Sequence, residues 1–189
     1  MKQLFNYMVA FLGLLLCAPL FLYIAIRIRR DNSGRVFYRQ ERLGKNGVPF
    51  EMIKFRTMVE GAEKEIPMLA VVDDSRVTSY GRVLRRYHLD ELPQLWNVLR
   101  GEMSIVGPRP ERIYFVEKIL EKEPSYEKVF LVKPGMTSLG IIKYGYASTV
   151  EEIIERSQYD LYYVEHYNLM LDLKILVATV REVFSGRGL

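Results

Sequence analysis

From Gln3 to Ile26 the chain carries no charged residue. A helix of that length reaches across a hydrocarbon core of roughly 30 Å, so the first predicted element is a membrane helix. Pro19 interrupts it, removing one backbone hydrogen bond and crowding the turn before it. Two arrangements fit the residues: a straight or kinked span, which length alone favours, and a re-entrant hairpin that leaves by the face it entered. Lys2 at one end and Arg27-Ile28-Arg29-Arg30 at the other are compatible with both ends being cytoplasmic. The basic cluster puts the C-terminal side on the cytoplasmic face. A signal peptide is disfavoured, because the stretch is too long and no small-residue cleavage site precedes the arginines.

The pattern that follows is that of a small, mostly helical domain. Asp31 to Gly34 reads as a turn. Val36 to Gln40 and Phe50 to Arg56 read as hairpin strands around a Gly44-Lys45-Asn46-Gly47 turn, with Lys54 and Arg56 on one face and Phe55 on the other. Residues 59–66 are predicted as a short helix stopped before Pro67, residues 73–78 as a loop, and Gly81 to Tyr87 as a helix carrying Arg82, Arg85 and Arg86. Leu92, Leu95, Trp96 and Leu99 fall at i, i+3, i+4 and i+7, which predicts an apolar helix stripe. Asp90 then lies at or near its N-cap, Pro93 in its first turn, and Gly101 just past its end. A further helix covers residues 111–123 and stops at Pro124. Lys133-Pro134-Gly135-Met136 is a turn, and Leu139 to Tyr146 is an ambiguous apolar run with a strand as one reading. Ser148-Thr149-Val150-Glu151-Glu152 offers two capping-box registers for a helix toward Tyr167. Another runs from about Leu169 to Phe184 and ends at Ser185-Gly186. The expected fold is α+β and mostly helical. Residues 1–30 form the membrane segment with its basic flank, and residues 31–189 a domain with interfacial amphipathic helices and a short β-hairpin.

Composition narrows the chemistry. A length of 189 residues and 49% hydrophobic content suit one domain plus an appendage. The single cysteine, Cys17, excludes a disulfide framework and a cysteine metal cluster. With two histidines, His88 and His166, any metal is expected on oxygen ligands, as suits Mg²⁺, Mn²⁺ or Ca²⁺. The net charge of +4 conceals an asymmetry: residues 1–58 hold ten Lys/Arg against three Asp/Glu, and the remainder hold 17 against 20. A basic excess beside the apolar segment fits anionic lipid rather than nucleic acid, for which there is no motif.

The candidate chemistry centres on Asp90-Glu91. A helix cap explains an acidic pair at a helix start. Its surroundings point further. A helix N-terminus is also an anion site. Arg85 and Arg86 precede the pair, and Arg109 lies in Gly107-Pro108-Arg109-Pro110, whose prolines stiffen a guanidinium suited to phosphate oxygens. Aspartate can attack phosphorus to form an acyl phosphate. The positive helix end is expected to keep Asp90 ionised, and a divalent cation on Glu91 to screen the meeting of anions.

These residues resemble the bacterial sugar transferases, the monotopic phosphoglycosyl transferase superfamily. The matching runs are Phe37 to Gly44, Lys54-Phe55-Arg56-Thr57-Met58, Arg76-Val77-Thr78, Gly81 through Asp90-Glu91-Leu92-Pro93-Gln94-Leu95-Trp96-Asn97 to Glu111, Asp160 to Tyr163, and Leu171 to Leu176. They cover nearly the whole chain in order. The resemblance implies an enzyme that transfers a sugar 1-phosphate from a UDP-sugar to polyprenyl, usually undecaprenyl, phosphate and releases UMP. That reaction is the first membrane step of O-antigen, capsule, exopolysaccharide or glycoprotein glycan assembly. It implies Asp90 as nucleophile, Glu91 as its partner near Mg²⁺, and a phosphosugar-aspartyl intermediate. Lys54, Arg56, Arg85 and Arg109 are then its phosphate and nucleotide-sugar contacts. It also implies a re-entrant helix broken at Ala18-Pro19, and so a catalytic domain on the cytoplasmic face of the bacterial inner membrane. By the same resemblance the chain looks like the family's minimal core.

Two departures stand out. His88 occupies a usual serine position, and Ser138 to Tyr146 replaces the family's usual continuation, which leaves the sugar unassigned. A homodimer is compatible with the apolar faces of helix 169–184. The competing readings are a catalytically silent membrane scaffold for glycosyltransferases and a metal-dependent phosphodiester hydrolase.

Overall fold

The structure, a computed structural model, describes residues 2–31, 35–62, 67–69 and 74–185. Helix α1 (Lys2–Asp31) opens the chain and is long and apolar enough to cross a membrane. At 1.5 Å per residue it is about 45 Å long. The helix is continuous through Ala18 and Pro19. One face touches the rest of the protein along both halves. Asn6, Ala10, Ile24 and Ile28 are buried, and a Cβ on Gly13 would sit 3.1 Å from Leu95 Cδ1. The spacing of these positions by three, four or sums of them marks a single helix stripe.

Polar ties fix both the start of α1 and its register. The Asn6 amide donates to Ser104 Oγ at 2.8 Å and its carbonyl accepts from the Ile105 N–H at 3.3 Å. Lys2 pairs with Asp172 at 2.9 Å, and the Tyr163 hydroxyl donates to the same carboxylate at 2.6 Å. Leu4, Leu12, Leu15, Leu16 and Leu22 remain exposed on the other faces. Burying a leucine is worth roughly 1.5–3 kcal/mol, so this face is built for an apolar surrounding.

Strands β1 (Phe37–Leu43) and β2 (Pro49–Phe55) form an antiparallel hairpin running from the Phe37–Phe55 pair to the Leu43–Pro49 pair. Asn46 and Gly47 take left-handed backbone in the connection, as the Asn-Gly signal predicts. Helix α2 (Ser79–Arg86) is capped by Thr78, whose hydroxyl accepts from the Gly81 N–H. A 3₁₀ turn (Leu89–Glu91) and helix α3 (Gln94–Leu99) follow. Then come β3 (Ser104–Val106), α4 (Ile113–Lys122), a 3₁₀ segment (Pro124–Leu131), β4 (Gly135–Thr137), α5 (Leu139–Lys143), α6 (Val150–His166) and α7 (Leu169–Ser185). The central core joins Ala10 of α1 to Met52, Leu95, Val98, Ile105 and Tyr163. A second core lies between α4 and α6, and a third packs Ile24 and Ile28 on Phe55 and Leu84.

The α+β, mostly helical expectation and the hairpin agree with this architecture. Five local expectations do not. Asp90 is not at a helix N-cap: it lies in the 3₁₀ turn, and α3 begins at Gln94 after Pro93. The cause is His88, whose left-handed backbone (φ 55°) ends the preceding segment and closes a tighter turn before proline allows the helix to start. The buried face of α3 is Gln94, Leu95, Asn97 and Val98, while Trp96 is exposed. Asn97 is inside because its amide serves the hairpin, bonding the Glu51 carbonyl at 2.7 Å and the Ile53 N–H at 3.1 Å.

Leu139 to Lys143 is helix, not strand, because Ser138 caps it through the Ile141 N–H. Gly135 to Thr137, read as a turn, is a strand parallel to β3, pairing Ser104 with Gly135 and Val106 with Thr137. That pairing brings two backbones so close that a Cβ on Gly107 would sit 2.4 Å from the Lys133 carbonyl oxygen. Of the expected helix 59–66, Val59 to Ala62 form a turn and the rest lies outside the described residues, as do residues 32–34 of the first expected turn and Gly186.

Candidate active site

The hairpin, the turn after α2 and the turn after β3 converge on one cavity of about 310 Å³. Lys54, Arg56, Arg85, Asp90, Glu91 and Arg109 all line it. The structure therefore brings together these six residues named from the sequence, while Arg86 is exposed and does not line the cavity. Ala18 and Pro19 belong to α1 and not to this cavity.

Local chemistry explains each placement. Lys54 is the penultimate residue of β2, and its ammonium donates to Glu91 Oε1 at 2.6 Å. The Arg109 guanidinium approaches the same oxygen at 3.8 Å, an ion pair rather than a close hydrogen bond. Arg85, in the last turn of α2, donates from Nε to Thr57 Oγ1 at 2.9 Å, which aims its fork across the hairpin end. Arg109 is held from behind: its backbone N–H donates to Asp160 Oδ2 at 3.1 Å, while the Gly140 N–H donates to Asp160 Oδ1 at 2.9 Å. Arg42 of β1 donates to the Pro110 carbonyl at 3.1 Å and so ties the hairpin to the Arg109 turn.

The two adjacent carboxylates differ in ionisation. Burial raises the Asp90 pKa above the ordinary carboxylate range. Lys54 opposes that rise and the Glu91 charge adds to it. Burial also pushes Glu91 upward, but Lys54, Arg109 and the hydrogen bond from Lys54 outweigh it and hold Glu91 at about 2. The expectation that a helix end keeps Asp90 readily ionised is thus corrected, since no helix end sits behind it and desolvation dominates.

The signs for stability are opposite. Glu91, depressed below its unfolded value of 4.5, contributes stability that is full above that pH and lost as pH falls toward about 2. Asp90, raised, is destabilising while ionised, and protonation relieves that as pH falls. Asp90 is therefore the more basic carboxylate of the two.

Among the described residues no group of three or more His, Cys, Asp or Glu side chains forms a metal cage. Asp90 and Glu91 are adjacent carboxylates in the cavity lining. That fits Mg²⁺, which is usually held by one or two carboxylates plus substrate phosphates, and does not fit an all-protein site.

Sequence reasoning missed several residues that build the site. Arg42, Glu111, Arg156 and Asp160 form its charged backing, and Tyr146 lines it beside Arg109. Arg42, Glu111 and Asp160 lie in the runs that carry the resemblance, so a signal was present. Tyr146 falls where the chain departs from the family, and nothing in the sequence marks it.

Comparison with known proteins gives a consistent result. A family model described as bacterial sugar transferase matches residues 1–186. The chain is 35% identical over 187 residues, 99% of its own length and 44% of the relative's, to a UDP-N-acetylgalactosamine-undecaprenyl-phosphate N-acetylgalactosaminephosphotransferase of Aeromonas hydrophila. It is 39% identical to a UDP-glucose:undecaprenyl-phosphate glucose-1-phosphate transferase of Klebsiella pneumoniae, covering 99% of itself and 41% of that protein. It is 37% identical to the exopolysaccharide production protein ExoY of Sinorhizobium fredii, covering 99% of itself and 87% of ExoY. The chain thus spans less than half the length of the first two relatives and most of the third.

Proposed function

The chain belongs to the bacterial sugar transferase family, and from that premise we propose that it is a phosphoglycosyl transferase. It moves a sugar 1-phosphate from a UDP-sugar to undecaprenyl phosphate and releases UMP, starting assembly of a surface glycoconjugate. The observation that carries this reading is the convergence of Lys54, Arg85, Asp90, Glu91 and Arg109 on one cavity. Transfer between two phosphate esters needs a nucleophile among cations and a clamp on a diphosphate, and these residue types supply both.

Asp90 is the nucleophile. Its carboxylate oxygen attacks the β-phosphorus of the UDP-sugar, the bond from that phosphorus to the bridging oxygen breaks, and UMP leaves with the electron pair. An oxygen of the polyprenyl phosphate then attacks the same phosphorus. The acyl phosphate bond breaks, Asp90 returns as carboxylate, and polyprenyl diphosphate-sugar departs. Arg85 and Arg109 hold the diphosphate, and Arg56 adds a cation on the hairpin side. Lys54 keeps Glu91 charged. Mg²⁺, held by Asp90, Glu91 and the donor phosphates, would screen the approach of two anions.

The packing of α1 supports a re-entrant membrane arrangement. A body that packs along both halves of a helix cannot stay on one side of a bilayer that the helix crosses straight. A re-entrant helix bent near Ala18-Pro19 avoids that conflict, and a cavity on the cytoplasmic face, where nucleotide sugars are made, is compatible with it.

The test is a panel of labelled UDP-sugars with and without polyprenyl phosphate. UMP formed together with lipid-linked sugar diphosphate is the expected result. Turnover dependent on water alone would make the protein a hydrolase, and silence toward every donor would favour the scaffold. A second expectation concerns pH. Asp90 must be ionised to attack, so activity has an acid limb above the ordinary carboxylate range. Lys54 lowers the Asp90 pKa, so Lys54→Met should move that limb to higher pH at fixed Mg²⁺. A limb that stays put or moves down in the pH–rate profile would show that it does not report Asp90.

A further inference from the structure

Tyr146 touches two parts of the site that come from different segments. The Arg109 guanidinium carbon lies 5.8 Å from the centroid of its ring, within cation–π range. The His88 ring lies parallel to it, 6.2 Å away with 7° between planes, and the Tyr146 hydroxyl meets His88 Nδ1 at 3.2 Å. His88 in turn is the residue whose carbonyl accepts the Glu91 N–H at 3.2 Å. Tyr146 therefore sits between the turn that carries the carboxylates and the turn that carries Arg109. Tyr146 lines the same cavity as Asp90, Glu91 and Arg109.

The distance from Arg109 to Glu91 gives this wedge its meaning. At 3.8 Å the pair is close enough to attract but is not closed. A guanidinium that closed onto Glu91 would spend its fork on a carboxylate and offer less to a phosphate. The prolines and Asp160 fix the Arg109 backbone, but they do not fix its side chain. The group that does lie over the guanidinium is the Tyr146 ring.

We propose that Tyr146, backed by His88, is a positioning residue that holds the Arg109 fork off Glu91 and turned toward the diphosphate. The inference rests on the transferase reading for the identity of that diphosphate, but not for its test. The ring attracts the guanidinium by its face and keeps it from sliding to the carboxylate. His88 keeps the ring upright through its stack and its hydroxyl contact.

The direct readout is calorimetric binding of inorganic pyrophosphate with Mg²⁺ to the full-length protein, which needs no acceptor and no turnover. Tyr146→Leu keeps apolar bulk and removes the ring face. It should weaken pyrophosphate binding by about tenfold, the scale of a desolvated cation–π contact. Tyr146→Phe keeps the ring and should stay within about threefold. His88→Asn, which tolerates the left-handed backbone, should give part of the loss. The decisive comparison is a double-mutant cycle with Arg109→Lys: its effect should be large in the wild type and mostly absent beside Tyr146→Leu. Additive effects, equal affinity in Tyr146→Leu, or no binding by the wild type would each overturn the proposal. Failure of the transferase reading would appear separately, as pyrophosphate binding that obeys the cycle without UMP formation from any UDP-sugar.

Discussion

Asp90→Asn should leave a folded protein whose UMP release from a UDP-sugar falls on the order of 10⁶-fold, the scale of losing a covalent nucleophile. The side chain keeps its shape, so the fold has no steric reason to change. An amide nitrogen or carbonyl oxygen does not displace UMP from phosphorus, and the adjacent carboxylate is already engaged. Glu91 is the nearest candidate, but it is bonded to Lys54 at 2.6 Å and approached by Arg109. The same substitution should not lower stability at neutral pH. Burial raises the Asp90 pKa, so its ionised form costs the folded state something that a neutral amide does not. The two readouts are steady-state UMP formation and thermal melting in the same detergent. Intact-mass measurement after mixing with donor alone should find a phosphosugar adduct on wild type and none on the variant. Activity within a hundredfold of wild type, or an adduct on Asp90→Asn, would remove Asp90 from its role.

That experiment also separates what the sequence made legible from what it did not. The hairpin, the apolar helix, α2, α4, α6 and α7 were readable because each is written in local pattern: alternation, a charge-free run, a cap, a proline stop. The cations of the cavity were readable because Lys54, Arg85 and Arg109 stand beside rigid or periodic elements. The β3–β4 pairing was not, because parallel strands of three residues join segments some thirty positions apart and leave no periodic trace. The ionisation of Asp90 was misread for a related reason. Its environment is set by burial beside Lys54 and Glu91, and burial of a polar residue is a tertiary property. Tyr146 was invisible because nothing local to it announces that Arg109 and His88 will arrive on either side.

The α1 contacts join the membrane to the chemistry. Gly13 is where a Cβ would press on Leu95, a buried residue of α3, the helix that begins three residues after Glu91. Ile24 and Ile28 pack on Phe55, which follows Lys54 directly in β2. Helix α1 is thus part of the wall against which both the acid turn and the hairpin that carries Lys54 are built.

The largest stability loss should come from Glu111→Ala, at about 3–5 kcal/mol, the usual cost of breaking a buried ion pair from one side. Glu111 is 5% exposed and stands between two arginines, bonded to Arg156 and lying 3.4 Å from Arg42. The triad already runs one positive charge in excess. Burial lowers the Arg42 pKa to about 10 despite the attraction of Glu111, so the guanidinium is strained for solvation even with its partner present. Removing Glu111 leaves two buried cations facing each other. Removing Arg156 instead leaves the Arg42–Glu111 pair intact and balances the charge. Arg156→Met should therefore cost clearly less than Glu111→Ala, although both delete the same bond. For a chain of this size each kcal/mol lowers the melting temperature by about 2–4 °C, so the two variants should differ by several degrees. The loss should also reach the site, because Arg42 bonds the Pro110 carbonyl beside Arg109. Glu111→Ala should then weaken pyrophosphate binding even at temperatures where it stays folded. Equal melting temperatures for the two variants, or a lower one for Arg156→Met, would mean that charge balance is not what the triad supplies.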